Sequence, residues 1–237
     1  MATVILVRHG RSTANSTGVL AGRLPGVLLD ATGEEQVRRV GERLSVVPLV
    51  RAVSSPLERC EQTARAIVDA QTSPPTLQHD ERLTECGYGA WQGRSLKELA
   101  GEDLWRTVQR HPSYAVFPEG ESIQAMAARA VEAIRAIDAD VEAEHGAGAV
   151  WLAVSHGDVI KSILADAHGT HLDHFQRIIV DPASVSIVRF TADRPYVVAT
   201  NTHAGDLSWL RPGQGEETSV DAVPGGGAGP STSTHPA

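Results

Sequence analysis

The fold is decided by one stretch near residue 5, Val4-Ile5-Leu6-Val7-Arg8-His9-Gly10. A short apolar run rich in β-branched residues is typical of a strand buried in a parallel sheet. Gly10 allows backbone angles that other residues avoid, so it predicts a sharp exit from that strand. Because ligands of open α/β sheets bind at the carboxyl ends of the strands, Arg8 and His9 lie where a ligand is expected. A fixed cation beside an imidazole predicts that this ligand is a phosphate.

The same pattern recurs later in the chain. Residues 149–155 form a second apolar run, and it ends in His156-Gly157. Two parallel strands that each deliver a histidine and a glycine place two imidazoles at one edge of the sheet.

A third apolar stretch, residues 52–54, leads into Ser55-Pro56-Leu57-Glu58-Arg59. Ser54 or Ser55 is predicted to cap a helix with Pro56 in its first turn. Arg59 then lies in that first turn, where free backbone N–H groups and the helix dipole favour an anion.

The order of these motifs resembles the histidine phosphatase superfamily, also called phosphoglycerate mutase-like. The resemblance covers roughly residues 4–200, nearly all of the predicted folded part. It is carried by Arg8-His9-Gly10 with Ser12 and Asn15, Gly22-Arg23, Leu29-Asp30 through Gln36, Ser54 through Arg59 with Thr63-Ala64, Leu83, Glu85, Gly89 and Gly93, Gly120-Glu121-Ser122, and Val154-Ser155-His156-Gly157. Asp30 stands where the family usually has threonine, and both residue types can cap a helix.

The resemblance implies roles that the spacing of the residues cannot assign by itself. His9 is implied to be the nucleophile that becomes phosphohistidine, and Glu85 the acid that protonates the leaving oxygen. Arg8, Arg59 and His156 are implied to neutralise the phosphate. The spacing alone does not say which histidine attacks.

Three further residues have two interpretations each. Asn15 is predicted either to donate to phosphate oxygens or to serve as a turn residue. Arg23 is expected either to contact the phosphate or substrate from its loop, or to have no such role. Asp158 is a second candidate for the acid, because some branches use an aspartate after the second histidine, although here it is one residue out of register. Otherwise it charges the start of the following helix.

The alternation of strands and helices predicts an α/β fold with a mostly parallel sheet covered on both faces. The resemblance implies the same three-layer α/β/α architecture. Helices are predicted over 32–45, after Ser55, over 122–144 and from Gly157 to about Gly169, with late strands at 185–188 and 196–198. Thr32 and Glu35 have the spacing of a capping box at the first of these helices.

Composition restricts the function further. The net charge of −8 over 237 residues argues against a nonspecific nucleic-acid or acidic-membrane binder. No stretch approaches the roughly 18 apolar residues of a membrane span. Cys60 and Cys86 provide no disulfide framework, so a cytoplasmic location is expected. No cofactor is expected, the partner is a small phosphorylated substrate, and a homodimer is compatible with the fold.

The chain is predicted to form one domain over residues 1–211, followed by a tail over 212–237. The tail is rich in Gly, Pro, Ser and Thr and has almost no large apolar residues. Such a composition cannot bury enough surface to offset the entropy of ordering, which predicts disorder.

One stretch imitates a metal site. Residues 168–174, His-Gly-Thr-His-Leu-Asp-His, resemble a His-x-His-x-Asp-His pattern. Gly169 stands where the first histidine belongs, and further ligands are not recognisable. The preferred interpretation is a loop at a helix end, with no metal.

The same core can support hydrolysis or phosphoryl transfer to a second substrate oxygen. The resemblance implies that the cofactor-dependent phosphoglycerate mutases of this family carry a long basic insertion between the Glu element and the Gly-Glu-Ser turn. Here that segment, residues 86–121, is short, and its basic residues are Arg94, Lys97, Arg106, Arg110 and His111. A phosphatase is therefore predicted, with a mutase and a non-catalytic phospho-ligand binding module as alternatives. The segment is expected to cover the pocket and set specificity.

Overall fold

The computed structural model describes residues 2–203, 224–227 and 229. The strands are β1 (Thr3–Arg8), β2 (Leu49–Ser54), β3 (Leu77–His79), β4 (Val150–Ser155), β5 (Val185–Arg189) and β6 (Tyr196–Thr202). The α-helices are α1 (Thr13–Thr17), α2 (Ala31–Leu44), α3 (Glu58–Asp69), α4 (Leu96–Leu99), α5 (Asp103–Arg110), α6 (Ile123–His145) and α7 (Gly157–Ala167). Short 3₁₀ helices lie at Glu81–Leu83, Gly89–Trp91, Pro112–Tyr114 and Leu172–Arg177.

Within the described residues the strands form one six-stranded sheet in the order β3-β2-β4-β1-β5-β6. Strands β3, β2, β4 and β1 are parallel, whereas β5 and β6 are antiparallel to their neighbours. Helices cover both faces. The predicted α/β fold, with a mostly parallel central sheet flanked by helices, is confirmed.

The core explains why the first run is apolar throughout. Val4 and Leu6 belong to the apolar cluster beneath α6 and α7, whereas Ile5 and Val7 belong to the cluster beneath α2 and α3. Since side chains alternate across a strand, a strand covered on both faces needs apolar residues at every position. Each such side chain contributes about 1.5–3 kcal/mol when it is fully buried.

Two helix starts differ from the prediction. Asp30 caps α2, and its carboxylate accepts from the Gly33 amide at 2.8 Å. Thr32 instead accepts from Arg11 at 2.7 Å, so the predicted Thr32–Glu35 capping box is wrong. This happens because the helix begins at Ala31, which leaves Thr32 inside the first turn.

The start of α3 differs as well. The N-cap is Leu57, which makes no side-chain cap bond, and Pro56 precedes the helix. Neither serine caps α3, because the Ser54 hydroxyl donates to the Ser55 carbonyl and the Ser55 hydroxyl lies 2.8 Å from His156 Nε2. Arg59 does lie in the first turn, as predicted.

The predicted tail is described only in part. Its residues 212–223, 228 and 230–237, and the boundary at 211, lie outside the described residues, so both expectations stay predictions. Residues 224–227 and 229 are described. Among the helices that the structure describes, none has the length and apolarity needed to cross a bilayer.

Candidate active site

The two histidines meet at one edge of the sheet. Strands β1 and β4 are parallel neighbours, and Arg8 pairs with Ser155, so His9 and His156 leave the sheet at the same level. Their ring centroids are 5.2 Å apart. The prediction that the two strands bring both imidazoles together therefore agrees with this geometry.

Gly10 is required by space rather than by a left-handed backbone. It is not among the glycines with positive φ. A Cβ at this position would lie 2.7 Å from the Gly33 carbonyl oxygen and 2.8 Å from Val37. Because Gly10 packs directly on α2, the strand end and His9 are fixed against that helix.

His9 has one ring nitrogen tied to the backbone and one directed at an arginine. Nδ1 lies 2.7 Å from the Gly10 carbonyl oxygen, which can only accept, so Nδ1 carries the proton. Nε2 accepts from Arg59 Nε at 3.3 Å. Burial, together with the charges of Arg59 and Arg8, holds the pKa of His9 well below 6.5. At neutral pH the imidazole is therefore uncharged, and its lone pair is on Nε2.

His156 is oriented the other way. Its Nε2 lies 2.8 Å from Ser55 Oγ, and Arg59 Nη2 is 3.3 Å from its Nδ1. Because the guanidinium can only donate, Nδ1 accepts and Nε2 donates to the serine. The side chain is fully buried, and burial followed by Arg59 lowers its pKa well below 6.5.

Two buried guanidinium groups lie beside these rings. Arg8 and Arg59 are 0% and 2% exposed. Arg8 Nε and Arg59 Nη1 have no hydrogen-bond partner among the described residues. A buried donor without a partner costs about 1–3 kcal/mol. An anion would satisfy such donors, as the sequence predicts for a phosphate site.

Glu85 is the carboxyl group of the site. It is 2% exposed, and its Oε1 accepts from the Cys86 amide at 2.9 Å. Burial, then the charge of Asp158, raises its pKa to about 7 against the opposing effects of the Cys86 amide hydrogen bond, Arg59 and Arg8. At neutral pH the group therefore exists both as acid and as base, which suits proton transfer.

Asp158 lies in the first turn of α7 and is fully buried. Its Oδ2 accepts from the Tyr88 hydroxyl at 2.8 Å, and Lys161 Nζ lies 3.5 Å from its Oδ1. Asp158 is not among the described residues that line the cavity, whereas Glu85 is. This difference in position favours Glu85 over Asp158 as the acid.

The cavity brings four of the predicted site residues together: His9, Asn15, Arg59 and Glu85. Arg8 and His156 are not among the described residues that line it, so their predicted phosphate contacts stay predictions. A second group of lining residues is apolar, and a third group comes from the described part of the tail. That apolar wall is formed by Val19, Leu20, Ala21 and Leu96. The tail residues are Pro224, Gly225, Gly226 and Gly227.

Asn15 and Arg23 have structural partners. The Asn15 Oδ1 accepts from the Ser12 amide and hydroxyl, so the Nδ2 group is the part that can donate to a phosphate. Arg23 donates from Nε to the Glu85 carbonyl oxygen at 2.8 Å and from Nη2 to Glu121 at 2.9 Å. Arg23 is not among the described residues that line the cavity, so the expected phosphate or substrate contact stays a prediction.

Residues 168–174 form no metal site in the described structure. No group of three or more His, Cys, Asp or Glu side chains among the described residues could hold a metal ion. His171 instead contacts Asp173 at the start of a 3₁₀ helix.

Sequence reasoning missed the residues that position the site. The Ser55 hydroxyl orients His156, and the Glu121 carboxylate joins Arg23 to Arg129. Glu121 occurs in the Gly-Glu-Ser element, which was a usable signal. Arg129 has no signal in the sequence, because nothing distinguishes it from Arg135, the other arginine of the same amphipathic helix.

The chain is similar in sequence to proteins of known name. The chain is 30% identical over 214 residues to the probable phosphoglycerate mutase GpmB of Enterobacter sp. (strain 638), covering 89% of this chain and 95% of that protein. It is 30% identical over 165 residues to the adenosylcobalamin/alpha-ribazole phosphatase of Salmonella typhimurium, covering 68% of this chain and 76% of that protein.

The structure also resembles a solved structure. Bacillus stearothermophilus YhfR superposes with a TM-score of 0.77 at 27% identity, covering 86% of this chain and all of YhfR. The family model of the histidine phosphatase superfamily (branch 1) matches residues 4–203. Since that match spans almost the whole described chain and the motifs occur in the family's order, this protein belongs to the histidine phosphatase superfamily, branch 1.

Proposed function

We propose that this protein is a phosphomonoester hydrolase that acts through a phosphohistidine on His9, without a metal ion. One observation carries the proposal: a neutral, buried imidazole has its Nε2 lone pair directed at Arg59, whose Nη1, like Arg8 Nε, lacks a described partner. The chain itself thus provides both the nucleophile and the positive charge that a phosphoryl group requires.

In the first step, Nε2 of His9 attacks phosphorus, and the bond from phosphorus to the ester oxygen breaks. Arg8 and Arg59 balance the charge on the phosphoryl oxygens, and neutral His156 holds Arg59 in place because its Nδ1 accepts from Arg59 Nη2. Glu85 gives its proton to the departing alcohol oxygen. A pKa of about 7 suits this role at neutral pH.

In the second step, water attacks the phosphoryl group, and the P–N bond breaks. Glu85, now a carboxylate, accepts a proton from that water. Inorganic phosphate leaves, and both His9 and Glu85 return to their starting protonation states. Splitting one displacement in two is the advantage of a covalent intermediate.

The residues that line the cavity favour a phosphate ester whose alcohol part is uncharged. Among the described lining residues, Arg59 is the only arginine or lysine. Arg23 is paired with Glu121, and Arg94 with Glu102. Phosphoglycerate carries a carboxylate that would need a second free cation. Together with the apolar wall, this supports hydrolysis of a neutral-alcohol ester over a phosphoglycerate mutase reaction.

The test is phosphate release from p-nitrophenyl phosphate and a panel of phosphate esters, with EDTA present and a His9→Ala control. We expect release that ignores EDTA, disappears in His9→Ala, and is faster for esters of neutral alcohols than for esters that carry a carboxylate. Loss of activity with EDTA would overturn the metal-independent mechanism. Interconversion of phosphoglycerates without phosphate release would make the protein a mutase. Phosphate binding without turnover on any substrate would favour a binding module.

A further inference from the structure

A short glycine-rich segment from the predicted tail lies in the active site. We call Pro224–Gly227 the glycine segment; it follows His203, the end of the continuously described chain, by some twenty positions. The glycine segment lines the same cavity as His9, Arg59 and Glu85. Pro224 and Gly226 are buried there.

The carbonyl groups of the glycine segment occupy the hydrogen-bond donors of Arg8. Nη1 donates to the Gly227 carbonyl at 2.9 Å and to the Val180 carbonyl at 2.8 Å. Nη2 donates to the carbonyls of Gly225 at 3.2 Å and Gly226 at 3.1 Å. Each terminal nitrogen of a guanidinium carries two N–H bonds, so these four contacts use all of them. Only Nε is left for a phosphate.

The segment is also held from its other side. The Gly225 amide donates to Asp158 Oδ2 at 3.0 Å. Asp158 is the buried carboxylate that Tyr88 also contacts. Asp158 accepts from the segment on one side and Arg8 donates to it on the other, so the carbonyl groups of the segment are held facing Arg8.

The fit depends on missing side chains. A Cβ on Gly226 would lie 2.7 Å from Arg8 Nη1 and 2.9 Å from Arg8 Cζ, at a φ of +75°. A Cβ on Gly157, at the start of α7, would lie 2.9 Å from the Gly225 carbonyl oxygen. Gly227 differs, because a Cβ there would meet nothing within 4 Å.

We infer that the glycine segment is an internal ligand of the phosphate site, which competes with phosphate and with phosphate esters for Arg8. The inference rests on the proposed function, since it takes Arg8 as a phosphate ligand. Carbonyl oxygens carry only partial negative charge, so a phosphate dianion forms stronger hydrogen bonds with the same guanidinium. Substrate therefore displaces the segment, and its apparent affinity is reduced by the fraction of molecules in which the segment is bound.

The test is calorimetric titration of the full-length protein with inorganic phosphate. Gly226→Ala strains the backbone at a φ of +75° and adds a methyl group against Arg8, so it should disfavour the bound segment. Gly227→Ala is the matched control, because the same methyl group one residue later meets no atom. We expect Gly226→Ala to lower the phosphate Kd at least about fivefold. Gly227→Ala should keep the wild-type Kd.

Gly157→Ala gives a second, independent way to displace the segment, from the helix side, and should also lower the phosphate Kd. An unchanged or higher Kd in both Gly226→Ala and Gly157→Ala would overturn the inference while leaving the phosphatase function in place. A protein that binds no phosphate in any variant would overturn both the inference and the phosphate site on which the proposed function depends.

Discussion

The ends of β1 and β4 look alike in sequence but differ in what their histidines can do. Each strand is an apolar run followed by His-Gly, and the two strands are parallel neighbours. His9 Nδ1 donates to the Gly10 carbonyl, and its Nε2 accepts from Arg59. His156 Nε2 donates to Ser55, and its Nδ1 accepts from Arg59. The partner of one ring nitrogen thus decides which atom of a repeated motif can react.

The largest expected effect separates the two histidines by phosphoenzyme formation. His9→Ala should lower kcat by at least about 10⁴-fold, because the nucleophile is lost. After rapid quenching, intact-protein mass spectrometry should find a phosphoryl group on the wild type and on His156→Ala, but not on His9→Ala. A phosphorylated His9→Ala with an unphosphorylated His156→Ala would make His156 the nucleophile instead of His9.

The pH dependence tests whether either imidazole controls proton transfer. Both histidines have pKa values well below 6.5, whereas Glu85 titrates at about 7. Since the acid must be protonated, kcat/KM should fall as pH rises through about 7. Glu85→Gln should be about 10²–10⁴-fold slower and lack this decline. Using one substrate for both proteins removes the ionisation of the substrate, and a decline that persists in Glu85→Gln would point to another group.

The glycines after the two histidines should differ in their effect on stability. Gly10→Ala drives a Cβ into the backbone of α2, whereas Gly157→Ala meets the glycine segment. Overpacking of this kind costs about 1–3 kcal/mol, so Gly10→Ala should lower the free energy of unfolding by that amount. Gly157→Ala should lose about 1 kcal/mol, the free energy of segment binding that corresponds to a change of about fivefold in the phosphate Kd. Urea denaturation measures both, and equal losses would show that the segment is as firmly packed as α2.

The smallest expected effect concerns the serine that orients His156. Ser55→Ala removes the hydrogen bond at 2.8 Å to Nε2, worth about 0.5–1.5 kcal/mol, or roughly 2–10-fold in phosphate affinity. Ser54→Ala is the control, because the Ser54 hydroxyl is equally buried but donates to the Ser55 carbonyl instead. Phosphate affinity measured by calorimetry should fall in the first variant only. The same loss in both would mean that the serines act through packing.

The sequence predicted those parts of the fold and site that depend on a local pattern of residue types. An uninterrupted apolar run such as 4–7 is typical of a strand covered on both faces, and parallel strands that end in histidine place both rings at one edge of the sheet. Strand β3 has three residues, two of them exposed, and so carries no pattern to read. The roles of Ser55 and Arg129 depend on partners distant in sequence. The contact of the glycine segment with Arg8 could not be predicted for a different reason. It is made by backbone carbonyl groups, which every residue has, so the composition of the tail does not indicate it.

Two arginines and one carboxylate hold the backbone of the acid Glu85 in place. The Glu85 carbonyl accepts from both Arg23 and Arg129, and Glu121 binds both arginines. Glu121 also accepts from the Gly87 amide at 3.1 Å, so the chain on either side of residues 88–120 is clamped to one carboxylate. Insertions or replacements within residues 88–120 should therefore leave the position of Glu85 unchanged. We expect changes within residues 88–120, where Leu96 lines the cavity, to alter substrate preference while the reaction stays the same.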